Sequence, residues 1–386
     1  MFHRLCNPLR SNSFFLFGAR ATGKTTFLKE YFKDLRTLHF DFLNPEIEED
    51  FALNPAKFAE LVKAQKKTFD WVILDEIQKV PKLLNSVHSL IESHKIKFAI
   101  TGSSARKLRR GKANLLAGRA FVNYFFPLVK EEYKNKIDLL KVLNFGSLPK
   151  VHSLISKEEK EEYLKSYATT YIQEEIKLEQ LVRNLDPFRK FLEVAAQSNA
   201  KIVNYSNIHR EIGVDVKTVQ NFYSILEDTM IGVFLEPYHS SVRRVLSQKP
   251  KFYFFDIGVQ KALSKTLKVE AVPSTSYYGE IFETFIILEC HRLNSYLRKD
   301  YQFYYLKTKD DVEIDLIIKR PQKPLILIEI KSSKNVKAEH LKKFKRIADD
   351  FRGAKKICIS DEKETRKVDD IEVLPWETAL KKIFFE

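Results

Sequence analysis

A chain of 386 residues is too long for one core of ordinary size, which predicts two or three domains. With 44% hydrophobic and 30% charged residues, the composition excludes a disordered or low-complexity chain. Lys and Arg (66) outnumber Asp and Glu (51), and the formal charge of +15 favours a polyanionic partner such as DNA, although a lysine-rich proteome gives the same sum.

The first element in the chain is also the most telling. Phe14–Phe17 is a short apolar run that reads as a buried strand, and the chain then passes into Gly18-Ala-Arg-Ala-Thr-Gly23-Lys24-Thr25. That stretch fits G-x-x-x-x-G-K-[ST] without a mismatch, and the residues from Thr26 onward read as an amphipathic helix. Strand, glycine loop and helix N-terminus make a phosphate cradle. Backbone N–H groups of Gly18, Ala19, Arg20, Ala21, Thr22, Gly23, Lys24, Thr25 and Thr26 are the expected ATP contacts, helped by the helix dipole. Lys24 is expected to reach the β- and γ-phosphates, and the Thr25 hydroxyl to take a place on Mg²⁺.

A second strand is expected over residues 38–43 and an amphipathic helix over residues 55–66, with Phe58, Leu61 and Val62 on one face. The apolar run Phe69–Leu74 leads directly into Asp75-Glu76. Behind a clean glycine loop, this pair reads as the second half of an ATPase site. Asp75 would hold Mg²⁺ through water and Glu76 would polarise the attacking water. A further strand, residues 97–101, ends in Thr-Gly-Ser-Ser. Ser103 and Ser104 are candidates to sense the γ-phosphate, against a plain Gly-Ser turn. Basic residues follow over 106–112, and Arg119 stands just before the strand Phe121–Phe125. Arg119 is the expected arginine finger for a neighbouring subunit's nucleotide, against simple pairing with a local carboxylate.

GARATGKTT, WVILDEIQ, the strand ending ITGSS, and LAGR before an aromatic strand resemble a prokaryotic group of AAA+-type P-loop ATPases. Members of that group carry a C-terminal domain of uncertain function with a restriction-endonuclease-like fold, and the likeness runs from about residue 10 to the C-terminus. It implies a five-stranded parallel sheet with the P-loop strand at its centre. Gln78 of DEIQ matches the group's pattern, with no role attached.

Residues 127–186 read as largely helical, and 166–176 resemble the group's helical connector. Two helices are expected next, one beginning at Pro187 with Asp186 as its N-cap, the other over 205–213, capped by Ser206 and stopped by Gly213. A three-residue turn leads to a third helix, 217–227, and two strands follow, 231–236 and 251–255, around Arg243 and Arg244. That pattern is a winged helix. Lys217, Thr218, Gln220 and Asn221 would face a DNA groove while Arg243 and Arg244 touch phosphate. The other reading makes the module a lid or a subunit contact.

The last part opens with an apolar helix from Gly279 that carries Glu283. Strands are expected over 301–306, 312–318 (with Asp315) and 324–331 (with Glu329 and Lys331). An Asp followed by Glu-x-Lys on the next strand resembles the PD-(D/E)XK nuclease core. Strand alternation puts Glu329 and Lys331 on one face, opposite Ile330. Asp315 and Glu329 would hold Mg²⁺, Lys331 would orient water and Glu283 would complete the set, against a structural acid–lysine network. The tail adds a lysine-rich helix, 336–351, whose lysines track phosphate or simply face solvent, and a strand, 356–360.

Cys6, Cys290 and Cys358 stand at no metal-ligand spacing and set up no disulfide framework, as in a reducing compartment. No apolar run approaches a membrane span and residues 1–13 lack a signal-peptide core, so a cytoplasmic protein is expected, with no membrane partner. The sequence therefore predicts an α/β protein in three parts: a P-loop AAA+ ATPase domain with a parallel sheet (1–130), a helical and winged-helix domain (131–258), and an α/β restriction-endonuclease-like domain (259–386). The expected function is a Mg-ATP-hydrolysing ATPase that remodels forked or junction DNA, as a homo-oligomer if Arg119 acts in trans. Two alternatives stand beside it, an ATP-regulated Mg-dependent DNA nuclease and a nucleotide-switched protein-assembly module.

Overall fold

The computed structural model describes residues 2–103, 116, 118–133, 137–171, 185–239, 249–310 and 312–386. Ser104, the basic run 106–112, much of the 166–176 connector segment, Arg243 and Arg244 lie wholly or partly outside these residues. The chain divides into two compact units. Unit 1 comprises Met1–Lys134, Leu148–Lys150 and Ser224–Ile231, and unit 2 comprises Asn135–Ser147, Val151–Tyr223 and Gly232–Glu386.

Unit 1 is built on five parallel strands: β1 Ser13–Phe17, β2 Thr37–Asp41, β3 Trp71–Asp75, β4 Phe98–Gly102 and β5 Ala120–Tyr124, in the order β2-β3-β4-β1-β5. Strands β1, β3 and β4 are buried along their whole length, which is why they read as unbroken apolar runs rather than alternating ones. Helices α1 Lys24–Tyr31, α2 Pro45–Leu53, α3 Pro55–Ala64 and α4 Leu83–His94 belong to the same unit. Phe58 and Val62 of α3 and Val87 of α4 join Phe15, Phe17, Leu74 and Ile100 in one core.

The expectation of a central P-loop strand is corrected here. β4 holds the centre, and β1 lies one strand in from the edge, between β4 and β5. The first crossover carries the chain from β1 to the far edge at β2, and β3 and β4 then fill the gap back toward β1. Only β5 is left to extend the sheet beyond β1.

Unit 2 holds an eight-stranded mixed sheet. Its strands are β6 Gly232–Pro237, β7 Lys251–Phe254, β8 Gln302–Lys307, β9 Glu313–Lys319, β10 Ile326–Lys331, β11 Lys355–Ser360, β12 Arg366–Val368 and β13 Ile371–Pro375, in the order β12-β13-β11-β10-β9-β8-β6-β7. β6 and β7 pair antiparallel, and β6 also pairs parallel with β8. The lysine-rich helix Ala338–Ala348 places Leu341 and Phe344 on Ile314, Ile317, Leu327 and Val373 of the sheet. Residue 258, the expected boundary between the second and third parts, falls inside the helix Ile257–Leu263.

Two helix starts differ from expectation. The helix containing Pro187 already includes Leu185, and Asp186 lies in its first turn, paired with Arg189 at 3.3 Å. The next helix, Tyr205–Ile212, is capped by Asn204, whose side chain accepts from the Asn207 N–H, so Ser206 is not the cap. Gly213 ends it in the left-handed region, φ 73°, as its sequence position predicts.

A candidate nucleotide site and an acid cluster

β1 delivers the chain to Gly18, whose N–H donates to the Gly102 carbonyl at 3.2 Å. A Cβ on Gly18 would lie 2.2 Å from the Phe125 carbonyl oxygen, so the loop can pass the end of β5 only without a side chain. The loop closes at Gly23, with φ 95°, directly before α1. No side chain caps α1. Its first-turn N–H groups and the positive end of its dipole are therefore directed at whatever the loop holds. Thr22 Oγ1 braces the loop from within by donating to the Ala19 carbonyl at 2.8 Å. Lys24 is buried; its Nζ donates to the Gly18 carbonyl (2.7 Å) and the Ala19 carbonyl (3.3 Å), and lies 3.6 Å from Glu76 Oε1.

β3 and β4 bring the second half of the site to the same place. Thr25 Oγ1 donates to Asp75 Oδ2 at 2.6 Å, and Thr101 Oγ1 donates to Asp75 Oδ1. The Glu76 N–H donates to Thr101 Oγ1 at 3.0 Å, with Glu76 itself in the left-handed region, φ 60° and ψ 48°. That strained turn aims the Glu76 side chain back across the end of the sheet. Gln78 Nε2 donates to both Glu76 Oε2 (2.5 Å) and Ser103 Oγ (3.0 Å), while its Oε1 is buried with no partner. Lys24, Thr25, Asp75, Glu76 and Ser103 thus form one constellation. The adjacent Thr25 hydroxyl and Asp75 carboxylate are hard oxygen donors of the kind Mg²⁺ takes, so the residues fit that ion. Arg119 is engaged elsewhere, in an ion pair with Glu92 that holds the Glu92 carboxyl below its usual range.

The residues before β1 carry a signal that the sequence reading missed. Arg4 donates from Nη1 to the Thr22 carbonyl (2.7 Å) and from Nη2 to the Phe126 carbonyl (2.6 Å). It also pairs with Glu132 at 3.0 Å and lies over the Phe125 ring, 3.9 Å from its centroid. The segment from Phe2 to Asn7 thereby walls a cavity of about 720 Å³ that opens beside Gly23 and Thr26 and is lined further by Phe27 and Tyr31. Only a basic residue ahead of the first strand marks it in the sequence.

In the 205–228 region, Lys217, Gln220 and Asn221 are exposed. The Thr218 hydroxyl donates to Asp215 Oδ2 at 2.6 Å and its N–H to Asp215 Oδ1 at 2.9 Å, so this threonine is engaged at the start of its own helix.

Unit 2 gathers the four acid and lysine residues singled out in the C-terminal part. The β9–β10 register sets Asp315 beside Glu329, and the Ile330 N–H donates to Asp315 Oδ2 at 2.7 Å. Lys331 Nζ stands 2.6 Å from Glu329 Oε1. Glu283, on the helix Ser276–Tyr296, accepts from Tyr253 Oη (3.1 Å) and lies 3.2 Å from Lys251 Nζ. Lys251 also pairs with Glu313. Burial, with the neighbouring Glu329 and Glu283 charges, holds the Asp315 carboxyl well above its usual range, and burial raises Glu329 too. Burial opposes the charge on Lys251, yet Glu283 and Glu313 keep its ammonium above the ordinary lysine range. Among the described residues, no group of three or more His, Cys, Asp or Glu side chains is arranged to hold a metal ion. No helix among them is long and apolar enough to cross a membrane.

Residues 10–134 match the family model of an AAA domain. The AAA-like segment therefore holds both halves of the constellation, from Gly18 to Ser103. Residues 136–270 match a domain of unknown function (DUF8612), and residues 278–379 match another (DUF4143). Among solved structures, the Orc1 protein of Aeropyrum pernix, determined in complex with DNA, is similar at 13% identity. The similarity covers 67% of this chain and 87% of that one, with a TM-score of 0.27, too low to equate the two folds. No curated protein matches the chain.

Proposed function

We propose that the protein is a Mg²⁺-dependent ATPase of AAA type that acts on DNA, remodelling forked or junction structures as a homo-oligomer. One observation carries the ATPase reading: Lys24 and Thr25 at the uncapped start of α1 meet Asp75, Glu76 and Ser103 at the ends of β3 and β4. The cavity beside Gly23 and Thr26 has room for the nucleoside. Phosphates lie on the loop N–H groups, and Lys24 exchanges its two carbonyl partners for phosphate oxygens. Thr25 and Asp75 hold the Mg²⁺, whose charge offsets that of the phosphates. Glu76 polarises water, Gln78 fixes the angle of Glu76 and links it to Ser103, and Arg119 leaves Glu92 to reach the nucleotide of a neighbouring copy.

The DNA part rests on the charge of +15 and on the exposed Lys217, Gln220 and Asn221 of a module read as a winged helix, with Arg243 and Arg244 assigned to its wing. The test is ATP hydrolysis with and without forked, junction and linear DNA, with the same DNA run on a gel. Stimulation with intact DNA is the expected result, lost in Lys24→Ala. No stimulation, together with no DNA binding at any salt concentration, would leave the protein-assembly switch in its place.

The competing reading is a nuclease on a restriction-endonuclease-like fold, using Glu283, Asp315, Glu329 and Lys331. It draws support from their assembly at one place on β9, β10 and the neighbouring helix. Cleavage that persists in Lys24→Ala and vanishes in Lys331→Ala would bring it forward.

A further inference from the structure

Four carboxylates meet in unit 2, Glu283, Glu313, Asp315 and Glu329, and the cluster contains two ammonium groups of its own. Lys331 belongs to the same strand as Glu329. Lys251 arrives from β7, outside the segment in which the Asp and Glu-x-Lys pattern was read. It is only 5% exposed. Its Nζ lies 3.2 Å from Glu283 Oε1 on one side and pairs with Glu313 on the other, with the Tyr305 ring 5.6 Å away. A compact positive charge between carboxylates from two separate elements stands where a divalent ion would have to stand to bridge them.

The remaining acids have partners within the protein too, one a backbone N–H and one an ammonium. Asp315 Oδ2 accepts the Ile330 N–H, and Glu329 Oε1 faces Lys331 Nζ. A single oxygen, Glu329 Oε2, is buried in the cluster without a partner. As arranged, the carboxylates of the cluster face its own ammonium groups, Glu283 and Glu313 on Lys251 and Glu329 on Lys331, in the space a divalent ion would need.

We infer that Lys251 is the built-in cation of this cluster: its ammonium replaces a divalent metal between Glu283 and Glu313, ties β7 to β9 and the 276–296 helix, and keeps the site metal-free. Taking the ammonium away should expose a latent divalent-cation site made of Glu283, Glu313 and the unpartnered oxygen of Glu329. This inference is independent of the ATPase reading and concerns only unit 2.

The experiment follows the melting temperature of the full chain, without nucleotide, against Mn²⁺ up to the millimolar range, together with bound Mn²⁺ by electron paramagnetic resonance. Wild type should show no response that depends on Glu283 or Asp315. Lys251→Met should melt lower without metal and regain several degrees with Mn²⁺, and adding Glu283→Gln should abolish that gain. Lys251→Arg, which keeps the charge, should behave as wild type. The inference is overturned if Mn²⁺ stabilises wild type in a manner that Asp315→Asn removes, or if folded Lys251→Met gains nothing from Mn²⁺. Should Lys251→Met be recovered only unfolded, the comparison of wild type with Asp315→Asn decides alone: a shared lack of response upholds the inference, and a response lost in Asp315→Asn sinks it.

Discussion

Gln78 ties Glu76 to Ser103 with a single amide nitrogen, which links the acid at the end of β3 to the hydroxyl at the end of β4. Gln78→Leu should therefore leave nucleotide binding near wild type while lowering kcat roughly 100-fold, the cost of a base misplaced by about an ångström. Steady-state hydrolysis and nucleotide titration together read that split, and a parallel loss of binding would reassign Gln78 to the fold. At Gly18 the expectation is structural. A methyl 2.2 Å from a backbone oxygen has no flexible neighbour to displace, so Gly18→Ala should cost about 3 kcal/mol or more in a denaturant melt. The glycine loop was legible because its chemistry is local: eight consecutive residues carry it. The roles of Gln78 and Arg4 were not. Gln78 depends on a short turn, Ile77–Lys79, that aims it at β4, and Arg4 reaches a carbonyl 122 residues away in sequence.

Among the helices that the sequence did announce, two are misjudged at their starts. Asn204 and Ser206 are both good N-cap residues two positions apart, and the propensities of their side chains do not choose between them. The chain enters the helix after Asn204, which leaves Ser206 inside the first turn. Asn204→Ala should then cost about 1 kcal/mol in urea unfolding, with Ser206→Ala close to neutral. Two histidines give unit 2 a pH dependence. Burial lowers His152 from 6.5 to about 4, with the Lys141 charge adding to it, and burial, with the Arg292 charge, takes His291 to about 4 as well. In the unfolded chain both accept a proton near 6.5, so between 6.5 and 4 the unfolded state binds the extra protons. Stability is full above 6.5 and falls as the pH drops toward 4. His152→Asn should flatten part of that slope in melts taken between pH 7 and 4.5, and an unchanged slope would count against a neutral, half-buried His152.

At the scale of the whole molecule, the two sheets were unequally legible. Three of the parallel strands of unit 1, β1, β3 and β4, announce themselves as solid apolar runs, and the number of strands was right. Strand order is set by crossovers that leave no local mark, which is why β1 was misplaced by one position. In unit 2 the reading stopped at 360, and β12, β13 and the final helix Trp376–Phe384 went unrecognised because they are short and mixed in composition. The charge of +15 makes its own prediction. If the proposed DNA contact runs through this charge, affinity should fall steeply with salt, with a log–log slope near −0.9 for each phosphate neutralised on duplex DNA, measurable by fluorescence anisotropy. A flat salt response would remove the case for a phosphate-tracking surface.

The pairing of β6 with β8 bears on how such a chain can be inherited. Residues 278–379 are recognisable as a family segment by themselves, yet their sheet continues through β8 into β6 and β7, strands encoded before residue 258. A gene fusion that borrowed the C-terminal segment alone would carry β8 with a bare edge open to strand addition, and would leave behind the lysine that neutralises its acids. Recombination breakpoints compatible with a soluble product should therefore lie upstream of β6, so that the hairpin and the C-terminal sheet travel between genomes as one heritable piece.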